Sequence, residues 1–417
     1  MKPNLFTIPK NPLFYGYIVA ASGFVIWMIG FGVSNTFGIF LKPMLTEFGW
    51  SRADTVLAYS LSTIGMVLVS IFTGWLTDRL GPRIVVPVFG AFLGISFLLM
   101  SQANTLGHLY LNYGVLSSVG LSVTATPVMA TVARWFVRRR GLMIGIVQAG
   151  LGLGGLIIAP LTGGLIAANG WRSAYTVLGI IALIGIILPG LFLRRDPTEV
   201  GQHPDGAAQS PMADSPPNPA KGRETPVLLR DIIFTRQFLI IAGLYAIFGF
   251  CRSTFLAHTV AHAQDLGFSL TDASNVLAVL MVSSIAGRIG MGRVADLRGN
   301  RSAFMLSYAA TTISLLWILV AHQLWSLYLF AFFFGFGWGA QAVLRFGITA
   351  EAFGLTSLGL IMGILGIGEA ISAALGAYYA GLIFDVVGHY QPVFWVGIVL
   401  SVLGILLAVF LKPLKKQ

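Results

Sequence analysis

Long apolar runs separated by short charged turns fill most of this chain. A bilayer core is crossed by about 20 apolar residues of helix. Twelve runs reach that length, at approximately 15–41, 53–77, 84–102, 107–133, 141–168, 172–193, 237–261, 273–294, 302–321, 324–349, 357–383 and 390–412. They fall into two groups of six, around a stretch of different character. Residues 194–235 hold Pro204, Pro211, Pro216, Pro217, Pro219 and Pro226 among scattered charges. That composition predicts a flexible linker, with too few apolar residues for a folded domain. The predicted organisation is a polar N-terminus (1–14), a six-helix bundle (15–193), the linker (194–235), a second six-helix bundle (236–412) and a tail (413–417).

Composition agrees. Of 417 residues 56% are hydrophobic and 10% charged, against about 25% charged in soluble domains. Such a chain cannot cover itself with polar surface, so its solvent is lipid and the class is an all-α membrane protein. The net charge of +11 would suggest nucleic acid in a soluble protein. No basic run here is interleaved with stacking aromatics, so no nucleic-acid partner is expected. Cationic loops instead set orientation. With both termini and the linker in the cytoplasm, twenty Lys and Arg fall on that side and three, Lys42, Arg52 and Arg172, on the other. The lone Cys251 excludes an internal disulfide and has no partner for a metal site. No cleavable signal pattern precedes the first run, so it is expected to be retained, as in a multi-pass protein of the cell (inner) membrane.

The two groups are copies. Gly74-Trp-Leu-Thr-Asp78-Arg79-Leu-Gly81-Pro-Arg83 returns 218 residues later as Gly292-Arg-Val-Ala-Asp296-Leu-Arg-Gly299-Asn-Arg301. The same offset lays Gly141, Gly145 and Gly150 on Gly359, Gly363 and Gly368. Two unrelated motifs at one offset indicate duplication, and a duplicated membrane protein usually moves something between its halves. Twelve spans, a central loop and these repeated loops resemble the major facilitator superfamily. Its fold is two six-helix bundles that rock about a site near the midplane. Glycine lets helix ends approach closely. Asp78 and Asp296 can pair with nearby arginines or a helix N-terminus. Gly74, Asp78, Arg79, Arg83, Asp296 and Arg301 thus form a candidate conformational latch, the alternative being a tight turn with solvated charges.

The offset also isolates what the halves do not share. Arg288 falls on Ser70, Arg345 on Pro127, Glu369 on Leu151, and Arg252 near Ser34. A charge at the bilayer centre costs about 3 kcal/mol or more, so an addition to one half asks for a function. Arg288 stands among Ser284, Gly287 and Gly290, eight residues before Asp296, about 12 Å into its helix. A guanidinium there can hold a carboxylate by two parallel hydrogen bonds, or can pair structurally with Glu369 or a cytoplasmic acid. Asn35, Gln148 and Trp338 are polar or amphipathic groups that can line the same cavity, or can join helices.

Three stretches resemble the monocarboxylate transporters and the related oxalate/formate antiporters. They are Phe37-Gly-Ile-Phe-Leu-Lys42-Pro to Trp50-Ser-Arg52, Arg134-Trp-Phe-Val-Arg138-Arg-Arg-Gly141, and His258-Thr-Val-Ala-His262-Ala-Gln-Asp265. The resemblance implies that Arg288 binds the substrate carboxylate and that His258 and Asp265 act in proton coupling or gating. Two features depart from it. Ser284 stands where mammalian members have an aspartate, and the first span lacks their lysine. Glu369 to Gly381 resembles the eleventh helix of these carriers, with Tyr378 near their proline pair. Glu369 can carry the coupled proton or neutralise Arg345 or Arg252. An acid there, where the oxalate antiporter has a lysine, argues for a monoanion.

The expectation is a secondary transporter of small monocarboxylates such as lactate or pyruvate, in symport with a proton, acting as a monomer and without cofactor or metal. An organic-anion antiporter, a drug efflux carrier and a non-transporting carboxylate sensor remain as alternatives. No ATP loop and no catalytic motif occur, which speaks against an enzyme.

Overall fold

A computed structural model describes residues 14–137, 139–206, 234–353 and 358–411, the side chains of 358–360 excepted. Most of the linker, both terminal stretches and Arg138 lie outside the described residues.

The first half runs α1 (Gly16–Ser34), α2 (Phe37–Phe48), α3 (Arg52–Leu80), α4 (Pro82–Met100), α5 (Leu106–Leu109), a π-helical turn (Tyr110–Leu116), α6 (Ser117–Trp135) and α7 (Arg140–Leu191). The second runs α8 (Arg236–Asp265), α9 (Leu270–Arg298), α10 (Asn300–Ile318), α11 (Leu324–Phe353), α12 (Leu358–Val387) and α13 (Gln391–Val409). Among the described residues ten helical stretches are long and apolar enough to cross a membrane, α1 and α2 counting as one. The 52-residue α7 folds back at Gly170 (φ 79°) and supplies two crossings. The twelfth is α10, whose polar residues dilute its apolar signal. Ser307, Thr311 and Thr312 answer that polarity locally, their hydroxyls donating to the carbonyls of Phe304, Ser307 and Tyr308 at 2.8–3.1 Å.

The duplication is visible in the backbone. Glycines of positive φ close turns at Gly49, Gly81 and Gly170 in the first half, and at Gly267, Gly299 and Gly388, each 218 residues on, in the second. The φ angles of Gly81 and Gly299 are 82° and 84°, a region that a side chain disfavours. Ser51 caps α3 by accepting from the Asp54 amide at 3.0 Å, and Ser269 caps α9 from Asp272 at 3.1 Å. The halves therefore share turns as well as spans.

Even crossings put the described chain ends, the Gly81 and Gly299 turns and residues 192–206 at one end of the bundle, here the termini end. The turns at Gly49, Gly170, Gly267 and Gly388 lie at the far end. The start of the expected linker is docked rather than free. Trp135 Nε1 donates to the Arg194 carbonyl at 2.8 Å, the Tyr15 amide to Gln202 at 2.9 Å, and the Val137 amide to Asp205 at 3.0 Å. Proline content marks the segment as non-helical but cannot show that its first dozen residues find hydrogen-bond partners on the first bundle.

Candidate functional site

The halves meet along two seams, α3 against α12 and α7 against α9, with α2 crossing α8. The contacts gather toward the far end. Gly38 of α2 lies so close to α8 that a Cβ there would stand 2.7 and 2.8 Å from the Ala257 and Leu256 carbonyls. The α3 N-terminus presents the Arg52 and Ala53 amides to the Asp385 carboxylate at 2.9 and 2.8 Å, as helix dipoles favour. The Arg52 side chain pairs with Asp265 at 2.8 Å, donates to the Tyr390 hydroxyl at 2.5 Å and lies 3.5 Å over the Phe384 ring. Lys42 adds a second pair to Asp265 at 3.0 Å. Along the other seam, Gly155 faces Met281 and Gly152 faces Ile285. The last link is Arg288, whose Nη1 donates to the Gln148 carbonyl at 3.1 Å. Nearer the termini end the packing thins. A Cβ added at Gly141, Gly145, Gly292, Gly363, Gly366 or Gly368 would meet no atom within 4 Å. Among the described residues no hydrogen bond or ion pair joins the halves on the termini side of Arg288 and Gln148, so the closure lies at the far end and the cleft is read as open toward the termini end.

Three arginines and one acid stand in the middle of the second half. Arg345 forms an ion pair with Glu369 and lies over the Phe248 ring at 3.9 Å and the Tyr245 ring at 5.0 Å. Arg288 has no acidic partner among the described residues. It sits 5.8 Å from the centre of the Trp338 ring, and its Nε is buried without a hydrogen-bond partner. The Nε of Arg252 and the indole Nε1 of Trp338 are likewise buried and unpartnered. Such donors are costly to leave unmade in a low-dielectric interior, so together they suit a ligand rich in acceptor oxygens. No group of three or more His, Cys, Asp or Glu fit to hold a metal occurs among the described residues.

The structure distributes the sequence candidates unevenly. Trp338 joins Arg288. Gln148 reaches Arg288 through its backbone carbonyl, whereas the sequence points to its side chain. Ser284, one turn from Arg288, is fully buried in the packing of α9 against α11. Its hydroxyl donates to the Met281 carbonyl at 2.7 Å, and Gly339 presses on its backbone, so it does not line the cleft. Tyr378 lies nine residues beyond Glu369 on α12, about 13 Å further toward the far end, outside the arginine cluster. Asn35 is buried at the break between α1 and α2, where the Tyr113 hydroxyl takes up the Ser34 carbonyl at 2.9 Å.

His258 and Asp265 belong to the far-end closure. His258 is buried, its ring nitrogens 2.9 Å from the Tyr390 hydroxyl and from the Ala377 carbonyl. A separate cavity of about 310 Å³ lies behind Asp265, lined by His262, His322, His389 and Tyr390. Sequence reasoning does not single out Arg52, Asp385 or Tyr390 as functional. Their signal is faint: Lys42 and Arg52 are two of the three cations against the charge bias, and both are fixed in ion pairs.

The latch residues sit at the open end. Asp78 pairs with Arg134 of its own half at 2.5 Å. Arg79 lies 4.1 Å over the Trp75 ring. At the repeat position, Arg134 corresponds to Ala352, so Asp296 lacks the equivalent cation. Arg83 and Arg301 open the helices that follow the two turns. No latch residue bridges the halves among the described contacts.

Known proteins share this architecture. The sequence matches the Major Facilitator Superfamily family model over residues 22–287 and 241–417. It is 30% identical to Monocarboxylate transporter 13 of Rattus norvegicus over 382 residues, 91% of this chain and 85% of that protein. It is 28% identical to Monocarboxylate transporter 11 of Homo sapiens, covering 91% and 79%. Among solved structures, a bacterial homolog of the human lysosomal transporter Spinster, in an inward-facing and occupied conformation, superposes with a TM-score of 0.70 at 15% identity, covering 95% of this chain and 96% of that one. That likeness concerns the fold.

Proposed function

We propose that this chain, which belongs to the major facilitator superfamily and has monocarboxylate transporters among its relatives, carries small carboxylates across the membrane, monocarboxylates such as lactate and pyruvate among them. The observation that carries the reading is Arg288: a half-buried arginine without an acidic partner among the described residues, at the point where the two halves part. Its guanidinium offers a planar fork to a carboxylate, and Trp338 gives the substrate an amphipathic wall. The far end closes through Arg52, Asp265 and Asp385, each pair joining one half to the other, so rocking of the bundles would exchange this closure for one at the termini end. Asp78 and Asp296 with their neighbouring arginines stand where that second closure would form. Proton symport fits this scheme, with Glu369, His258 and Asp265 as the groups able to couple a proton to gating. The cationic termini end would face the cytoplasm, in an inner membrane, with the monomer as the working unit.

The test is thermal unfolding of the purified protein against a panel of carboxylates, amines and sugars. Ligand at 100 times its Kd stabilises by about 2.7 kcal/mol. The reading expects lactate or pyruvate to raise the unfolding temperature and Arg288→Gln to abolish the shift. A panel in which no carboxylate acts would overturn it.

A further inference from the structure

We propose that the cleft accommodates a substrate with two anionic ends, a short dicarboxylate, held by Arg288 at one carboxylate and Arg252 at the other. This rests on the carboxylate-transport reading and deepens it. The argument begins with charge. Of the acidic residues in the described spans only Glu369 lies at mid-depth, whereas Arg252, Arg288 and Arg345 all do. Glu369 is paired with Arg345, so two cations remain without a counter-ion among the described residues. In the sequence alone, Glu369 argues for a monoanion; its engagement with Arg345 removes that argument.

Helix register brings the two free cations to one level of the second half. Tyr245, Phe248 and Arg252 recur at the spacing of one helix face, and the first two carry the Arg345 guanidinium on their rings. Gly249, on the same side of α8, lies against the Glu369 backbone. Arg252 thus projects on the side of α8 that faces the cluster. It stands seven residues beyond Tyr245, while Trp338 stands seven residues before Arg345 on α11, which runs the opposite way. Two turns along each helix bring Arg252 and Trp338 to one level, and Arg288 is beside Trp338. The buried donors without acceptors, Nε of Arg252, Nε of Arg288 and Nε1 of Trp338, therefore share that level. A carboxylate held in the bidentate fork of one guanidinium has both oxygens committed to it, so a second guanidinium on another helix is matched most strongly by a second carboxylate.

The test uses full-length protein in liposomes and measures uptake of radiolabelled lactate, malonate and succinate. Wild type should take up a dicarboxylate with a higher kcat/KM than lactate. Arg252→Gln should lower the ratio of dicarboxylate to lactate kcat/KM at least tenfold, and Arg252→Lys should restore part of it. A ratio is the readout because a merely structural defect lowers both substrates alike. Lactate uptake without dicarboxylate uptake or competition overturns this proposal and leaves carboxylate transport standing, as does an unchanged ratio in Arg252→Gln. Absence of both uptakes sinks the carboxylate reading itself.

Discussion

Arg52 and Asp265 lie 213 residues apart in the chain and on opposite halves, yet they form an ion pair of 2.8 Å at the far end of the bundle. The arginine is buried and reaches Tyr390 as well. Removing Asp265 leaves the buried Arg52 guanidinium without its ion-pair partner, and an unpaired buried charge costs more than the pair itself contributes.

Asp265→Asn should therefore loosen the far-end closure. A cost of at least about 1.4 kcal/mol is a tenfold change in equilibrium. A cysteine placed at Ser60, whose hydroxyl meets the Ala374 carbonyl across the seam at 2.8 Å, should react at least tenfold faster with a membrane-impermeant maleimide in the Asp265→Asn background. The native Cys251 is buried and contributes little background. The swapped pair Arg52→Asp with Asp265→Arg should recover part of the protection. An unchanged labelling rate would remove this pair from the closure.

The α9–α11 seam gives a prediction about packing. A Cβ on Gly287 would stand 2.0 Å from the Phe336 carbonyl oxygen, a backbone atom that cannot swing aside, whereas Gly292 has nothing within 4 Å. Gly287→Val should lower the stability in detergent by about 3 kcal/mol, the upper end for overpacking. Gly292→Ala should change it by less than about 1 kcal/mol. Equal effects of the two substitutions in thermal unfolding would contradict the seam.

The repeated turns predict a kinetic effect without a large stability effect. Asp78 and Arg134 pair at an exposed site, where such bridges contribute about 0–1 kcal/mol. Asp78→Asn should leave the unfolding temperature nearly unchanged and lower the initial uptake rate, because the aspartate is then lost from the closure proposed at the termini end. Uptake at the wild-type rate would exclude Asp78 from that role.

The spans and the duplication are legible in the sequence because both are written locally: apolar length sets each crossing, and glycines at fixed spacing set each turn. Even α10 can be read, although its hydroxyls weaken the signal. The far-end closure is not legible, since Arg52 finds Asp265 and Tyr390 only after both halves have folded and docked. The site is half legible. Arg288 stands out because its counterpart in the first half is Ser70. Ser284 lies on the same helix, but buried in the α9–α11 seam, and Tyr378 lies on the helix of Glu369 at another depth. Spacing along one helix cannot show which neighbour a face meets. For the same reason the role of Arg345, which engages Glu369 and changes the charge left in the cleft, emerges only from the structure.

The central claim is that Arg288 holds the substrate carboxylate through the geometry of its guanidinium, and Arg288→Lys tests it most directly. Lysine keeps the charge and loses the fork. Initial uptake of labelled lactate or pyruvate into proteoliposomes should fall at least tenfold, with an unfolding temperature close to that of the wild type. Uptake within twofold of wild type by a folded Arg288→Lys protein would contradict the account.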